Sequence, residues 1–432
     1  MPTVAFHTLG CKVNQYDSQA MLELFVQAGY TPRAFQDMAD VYVINTCVVT
    51  GVGEKKSLQA LRRAQRKNPQ ADVVVAGCLA QKDGEKLLAQ GARLVLGNQR
   101  RGEVVSLLHQ AQAEGTRLSA VDTVTGIPYE PLTVSANDGH TRAVLKIQEG
   151  CDRYCAYCII PYVRGTVRSR PVHDIACEAQ RLADAGHREI VLTGIHLTSY
   201  GRDLDGVPLL HAVQAAAQPT GIVRVRLGSL EPRVADDAFA QALAGVGKVC
   251  PQFHLSLQSG CDSVLYRMRR RYTADEYRAA VTTLRRHFPG CAITTDIITG
   301  FPGETEEEHQ QSLAFAREIG FARTHVFPYS AREGTLAATM PHQVPLRVRE
   351  QRAAQMIAQG KQSALAFMQE GVGQAAQVLF EEEEADGACG YTGTYLEVFC
   401  PGARPGDIRS VRLTHIENER FIGQLIPQQE ES

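Results

Sequence analysis

Strand-like apolar runs alternate with helix-like stretches along most of this 432-residue chain, and that alternation constrains its fold more than any other feature. Thr3 to Thr8 reads as a short buried strand ending at Gly10-Cys11, followed by a helical pattern from about Gln15 to Gln27 that Gly29 stops. The runs Val41 to Asn45 and Asp72 to Ala76 end at Thr46-Cys47 and Gly77-Cys78, each with a helix behind it. The unit repeats from Arg93 to His109. Such units predict an open parallel α/β sheet, whose carboxyl-edge loops face one crevice where ligands bind. Cys11, Cys47 and Cys78 all lie just past strand ends, so topology is expected to bring three distant sulfurs together. The plainer reading is three unrelated buried thiols, because cysteine is often buried.

From about Thr116 to Thr141 the chain is irregular, with Gly126, Pro128, Pro131 and Asn-Asp-Gly at 137–139, which reads as a linker. Six further strand-then-helix units follow, with strands beginning near Arg142, Arg188, Ile222, Gln252, Cys291 and Arg323. They predict a partial (β/α)6 barrel, with reacting groups at the carboxyl ends of its strands. A long helical run from about Leu346 to Gln369 leads to short β-like runs at 376–380, 392–399, 408–414 and 421–426, the pattern of a small antiparallel β-barrel. Glu381 to Glu384 reads as a solvated turn. The expected division is an α/β domain over 1–125, a linker over 126–140, the barrel over 141–370 and the small β-barrel over 371–432.

The first barrel strand runs into Cys151, Cys155 and Cys158, spaced C-x3-C-x2-C. Cubane iron–sulfur clusters are held by cysteine thiolates, and three protein ligands leave one of the four irons open. A structural zinc site would recruit a fourth Cys or His nearby, and none follows before His173. Twelve cysteines are many for a chain whose start lacks a basic segment followed by a long apolar one. No apolar run is long enough to span a bilayer, so the expected setting is reducing cytoplasm, where grouped cysteines bind metal or clusters. A net charge of −2 and a pI near 6.7 give no global nucleic-acid footprint, so RNA must be met by local patches.

At Gly150 to Cys158, including Tyr157, the chain resembles the radical S-adenosylmethionine (radical SAM) enzymes. Three further stretches resemble the amino-terminal domain of one subfamily, the methylthiotransferases: Thr8 to Ser18, Asn45-Thr46-Cys47 and Gly77 to Gln81. So do Gln258-Ser259-Gly260, Gly300 to Thr305 and His325 to Thr335. The resemblance implies two [4Fe–4S] clusters. Cys151, Cys155 and Cys158 would hold the one that binds S-adenosylmethionine and yields a radical; Cys11, Cys47 and Cys78 would hold the auxiliary one, which delivers sulfur. It also implies that the last domain is an RNA-binding TRAM domain. Leu9 to Tyr16 looks most like the branch acting on N6-threonylcarbamoyladenosine, 3′ of the anticodon in the tRNA anticodon stem-loop. An electron donor such as flavodoxin or ferredoxin is implied, and no membrane.

By the same resemblance, Tyr157, Thr193, Gly194, Ser229 and Glu231 are cofactor-binding candidates; Thr-Gly alone would be only a tight turn. Arg164, Arg168 and Arg170 would hold substrate phosphate if they face the cleft, and would be structural if paired with carboxylates. Arg404, Arg409 and Arg412 are candidate phosphate contacts in the last domain, and Arg267 with Arg269 to Arg271 form another basic cluster. Rival substrates are isopentenyladenosine in tRNA and a ribosomal protein. Rivals of another class are an RNA-binding metal protein without catalysis and an iron–sulfur electron carrier.

Overall fold

The computed structural model describes residues 1–135 and 141–427; the Asn-Asp-Gly read as linker lies outside them. Six parallel strands form the first sheet, in the spatial order Thr31–Arg33, Thr3–Thr8, Val41–Thr46, Asp72–Gly77, Leu94–Leu96, Leu118–Ala120. Its central strands are apolar at nearly every position because both faces are covered. On one face Tyr42, Ile44, Val73 and Val75 pack with Leu61, Ala64 and Leu79. On the other Val41, Val43 and Val74 pack with Met21, Phe25 and Leu108. The edge strands Thr31–Arg33 and Leu118–Ala120 were not expected: three residues each are too short to show a period.

The second unit is the expected partial barrel. Its parallel strands are Arg142–Glu149, Glu189–Gly194, Arg224–Leu227 continuing as Ser229–Leu230, Gln252–Leu255, Ala292–Thr299 and Arg323–Pro328. Alternate residues obey the strand period. Leu145, Ile147, Ile190, Leu192, Phe253 and Leu255 join one core with the covering helices. Their neighbours Lys146, Gln148, Glu189, Arg226, Gln252 and Thr294 are buried polar groups on the opposite face.

The described part of the linker is packed against both units. The Tyr129 hydroxyl donates to the Lys146 carbonyl (2.9 Å), and Leu132 and Val134 enter the barrel core. Residues from Ala375 to Leu425 form a closed five-stranded barrel. It stands against the amino-terminal ends of the large barrel's strands: Arg224 donates to the carbonyls of Tyr391 (2.9 Å) and Gln377 (2.7 Å), and Arg142 pairs with Glu381 (2.5 Å). The acidic run Glu381 to Glu384 is therefore no turn. It ends the strand Ala375–Glu384, stabilised by Arg142 at one end and by Arg420 on Glu384 (2.8 Å) at the other. Among the described residues no helix is long and apolar enough to cross a membrane.

Candidate cluster and cofactor site

Strand order brings the first three cysteines together. Thr3–Thr8, Val41–Thr46 and Asp72–Gly77 are adjacent, and the order reverses between the first two, where open sheets leave a crevice. Cys11 caps the helix Lys12–Gln27 and Cys78 opens the helix Cys78–Ala89. At Cys11 burial foremost raises the thiol, while Arg164 and the Asn14 and Val13 amides at the helix start act to lower it. Asn14 ties two of the loops by donating to the carbonyls of Leu9 (2.7 Å) and Thr46 (2.9 Å). Burial foremost, with Cys78 and Cys11 adding to it, pushes the Cys47 thiol up to about 11.

Tight backbone turns gather the second set. Gly150 (φ +72°) and Tyr154 (φ +48°) are both left-handed, and the Cys158 amide donates to the Cys155 carbonyl (2.9 Å). The Cys151 amide donates to the Gly165 carbonyl (2.9 Å), and the Ala156 amide to the Met268 carbonyl (3.0 Å). Burial, together with neighbouring sulfurs, pushes Cys151 up to about 11 and Cys158 to about 12. A Cβ at Gly150 would overlap the Thr166 carbonyl oxygen, on top of the unfavourable φ. Gly150→Ala is therefore expected to lose at least 3 kcal/mol, about the cost of a severe backbone conflict, and to bind less iron; denaturant unfolding and iron analysis check both.

The donor sets suit clusters, because three thiols in each leave one of a cubane's four irons open. Within each set the sulfurs are close enough to raise one another's pKa.

The cofactor candidates divide. Glu231 is buried beside Arg270 (3.1 Å), Arg153 (3.2 Å) and His196 (3.3 Å); burial opposes its ionisation, but these partners hold it down to about 2. Arg270 also donates to the Cys155 sulfur (3.2 Å), so one guanidinium joins this carboxylate to the cysteine loop. Asp152 Oδ1 and Arg153 Nε are buried without a hydrogen-bond partner, open to a ligand. Thr193 is buried opposite Lys146 in the sheet register, and a Cβ on Gly194 would crowd Gln148 and Leu197 (both 2.9 Å). Ser229 is exposed at its strand end. Sequence reasoning placed Arg270 only within a surface basic cluster and passed over Arg153, although it sits inside the cysteine loop.

Both cysteine sets open onto one cavity of about 640 Å³. Cys11 and Cys47 line one side; Tyr157, Cys158 and Ile159 line another, with Ile298, Phe327, Gln258 and Asp296. Gln258 has φ +70°, which a side-chain-bearing residue adopts only when its surroundings impose it, as at functional sites. Among the described residues Lys56 is the one cationic side chain in this lining.

Arg164, Arg168 and Arg170 do not form a phosphate site. All three are buried, Arg164 and Arg168 beside Glu149 (2.5 and 3.9 Å) and Arg170 beside Glu178 (2.5 Å), so the structural alternative holds for them. Arg404 and Arg412 are exposed and Arg409 is half-buried, all on the small barrel. That barrel lies at the strand ends opposite the Cys151 loop.

Two family models match the chain: Uncharacterized protein family UPF0004 over residues 3–97 and the Radical SAM superfamily over residues 145–316. The threonylcarbamoyladenosine tRNA methylthiotransferase MtaB of Bacillus subtilis is 42% identical over 93% of this chain and 91% of its own length. Its namesake in Aquifex aeolicus is 36% identical over 88% of this chain and 93% of its own. The tRNA-2-methylthio-N(6)-dimethylallyladenosine synthase of Moorella thermoacetica is 34% identical over 97% of both. Among solved structures, the radical S-adenosylmethionine methyltransferase TsrM of Kitasatospora setae superimposes with a TM-score of 0.54 at 16% identity, covering 78% of this chain and 75% of that one, a likeness of fold. The chain belongs to the radical SAM methylthiotransferase family, whose cofactors are two [4Fe–4S] clusters and S-adenosylmethionine.

Proposed function

We propose that this chain attaches a methylthio group to C2 of the adenine in N6-threonylcarbamoyladenosine of tRNA, 3′ of the anticodon. The observation that carries the reading is the cavity shared by Cys11 and Cys47 on one side and Cys158 on the other. A reaction drawing on two cysteine-held centres needs both to face one substrate, because proximity and orientation supply much of such a rate. When bound, the cofactors supply a hydrogen-abstracting radical at the Cys151, Cys155 and Cys158 site and sulfur at the Cys11, Cys47 and Cys78 site. The chain's own task is placement and exclusion of water. Tyr157, Ile159, Ile298 and Phe327 offer apolar walls for a purine, while Gln258 and Asp296 offer hydrogen-bonding groups for its edge.

We read the closed carboxyl-terminal barrel as a TRAM domain that holds the tRNA through Arg404, Arg409 and Arg412. The domains are read as 1–125, 141–370 and 371–432, joined by a linker over 126–140. A flavodoxin or ferredoxin supplies electrons in the cytoplasm.

The threonylcarbamoyl group carries a carboxylate that a dimethylallyl group lacks. Lys56 can meet it: the side chain is exposed, and the neighbouring Glu54 is held by Arg332 (3.0 Å). Replacing Lys56 by Ala should lower kcat/KM on a threonylcarbamoylated stem-loop about tenfold, chiefly through KM, the loss of one charge-assisted contact. The deciding experiment is mass spectrometry of tRNA nucleosides from cells with and without this chain. Loss and restoration of 2-methylthio-N6-threonylcarbamoyladenosine supports the reading. Loss of the dimethylallyl derivative instead moves the substrate to the other branch.

A further inference from the structure

Arg164 lies in the short helix Ile160–Arg164, just beyond Cys158, yet its side chain crosses to the other cysteine set. Its Nε–H donates to the Cys78 sulfur (3.2 Å) and its Nη1 to Glu149 (2.5 Å), while Nη2 donates to the Asn14 side-chain oxygen. Every nitrogen of the planar fork has its own acceptor, so the group has no rotational slack, and it is fully buried. Glu149 stands two residues before Cys151, and Asn14 ties the Cys11 and Cys47 loops. One guanidinium thus touches an auxiliary-cluster cysteine and the approach to the radical-cluster loop.

We propose that Arg164 is a positioning residue that hydrogen-bonds the auxiliary cluster through the Cys78 sulfur and thereby raises that cluster's reduction potential. Hydrogen bonds to cluster sulfurs, net charge and burial set such potentials. A buried cationic donor stabilises the more negative, reduced state, and low polarity magnifies the effect. Asn98, the other donor near Cys78, is more distant (3.8 Å) and uncharged, so Arg164 carries the larger share. The inference rests on Cys78 being a ligand of the auxiliary cluster.

The test uses full-length protein carrying Cys151→Ala, Cys155→Ala and Cys158→Ala, reconstituted anaerobically so that the auxiliary cluster is the one present. Its midpoint potential is measured by redox titration followed by electron paramagnetic resonance, with and without Arg164→Gln. A potential shifted down in the Arg164→Gln protein, with loss of the hyperfine coupling that guanidine-15N-labelled arginine gives to the reduced cluster, supports the proposal. An unchanged potential with the cluster fully loaded overturns it. Should Arg164→Gln fail to fold by circular dichroism, Arg164→Lys decides on the same readouts, because it keeps a cation beside Glu149 but lacks the Nε donor at Cys78. If the background protein binds no cluster, the assignment of Cys78 falls, and the proposal with it.

Discussion

Anaerobically purified Cys155→Ala protein should form no 5′-deoxyadenosine from S-adenosylmethionine, yet keep about half of the iron and sulfide of the parent, one cubane of two. Cys47→Ala should do the converse: it also loses about half the iron, but still cleaves S-adenosylmethionine while making no methylthiolated product. The two outcomes follow from separation of the sets. Cys155 lies in a loop whose turns involve Gly165 and Met268, with Arg270 on its sulfur. Cys47 follows the strand Val41–Thr46 of the first sheet and shares its field with Cys11 and Cys78. Neither set borrows a cysteine from the other. Iron analysis and product chromatography check both variants; 5′-deoxyadenosine from Cys155→Ala would invert the assignment.

The second large effect concerns stability. Arg101 is buried with ion pairs to Asp17, Glu130 (2.9 Å) and Glu149 (3.0 Å), one partner each from the first domain, the linker and the barrel. Lys146 pairs with Asp17 as well. Removing Arg101 takes one cation from three buried or half-buried carboxylates whose remaining partners compensate only in part, so Arg101→Ala is expected to cost about 3–5 kcal/mol. The midpoint of denaturant unfolding of the apoprotein should fall accordingly, and the two cysteine sets should lose their fixed relation. Burial opposes ionisation of Glu149, but Arg101, Lys146, Arg164 and Arg168 together hold its carboxyl well below the usual range. Its contribution is therefore complete above an unfolded value of about 4.3 and disappears as pH falls through the lower folded value. Unfolding midpoints measured from pH 7 down to 3 read this loss.

Sequence alone determined the parts whose signal is local. Apolar runs announced the central strands of the first sheet, which both faces then cover, and the repeat of strand-like and helix-like stretches announced the six strands of the barrel. The spacing of Cys151, Cys155 and Cys158 lay within one loop, and the other three cysteines followed strand ends, so both sets were legible in the order of residues. The tertiary structure decided what depends on distant partners. It placed the Cys11, Cys47 and Cys78 strands side by side and opened both sets onto one cavity. It turned Arg164, Arg168 and Arg170 inward, because carboxylates brought in from Glu149 and Glu178 make burial of those charges tolerable. It drew the acidic run at 381–384 into a strand, where Arg142 and Arg420 replace the solvent it would otherwise need. A charge's role is set by what stands opposite it, and for these residues the opposing groups lie far away in sequence.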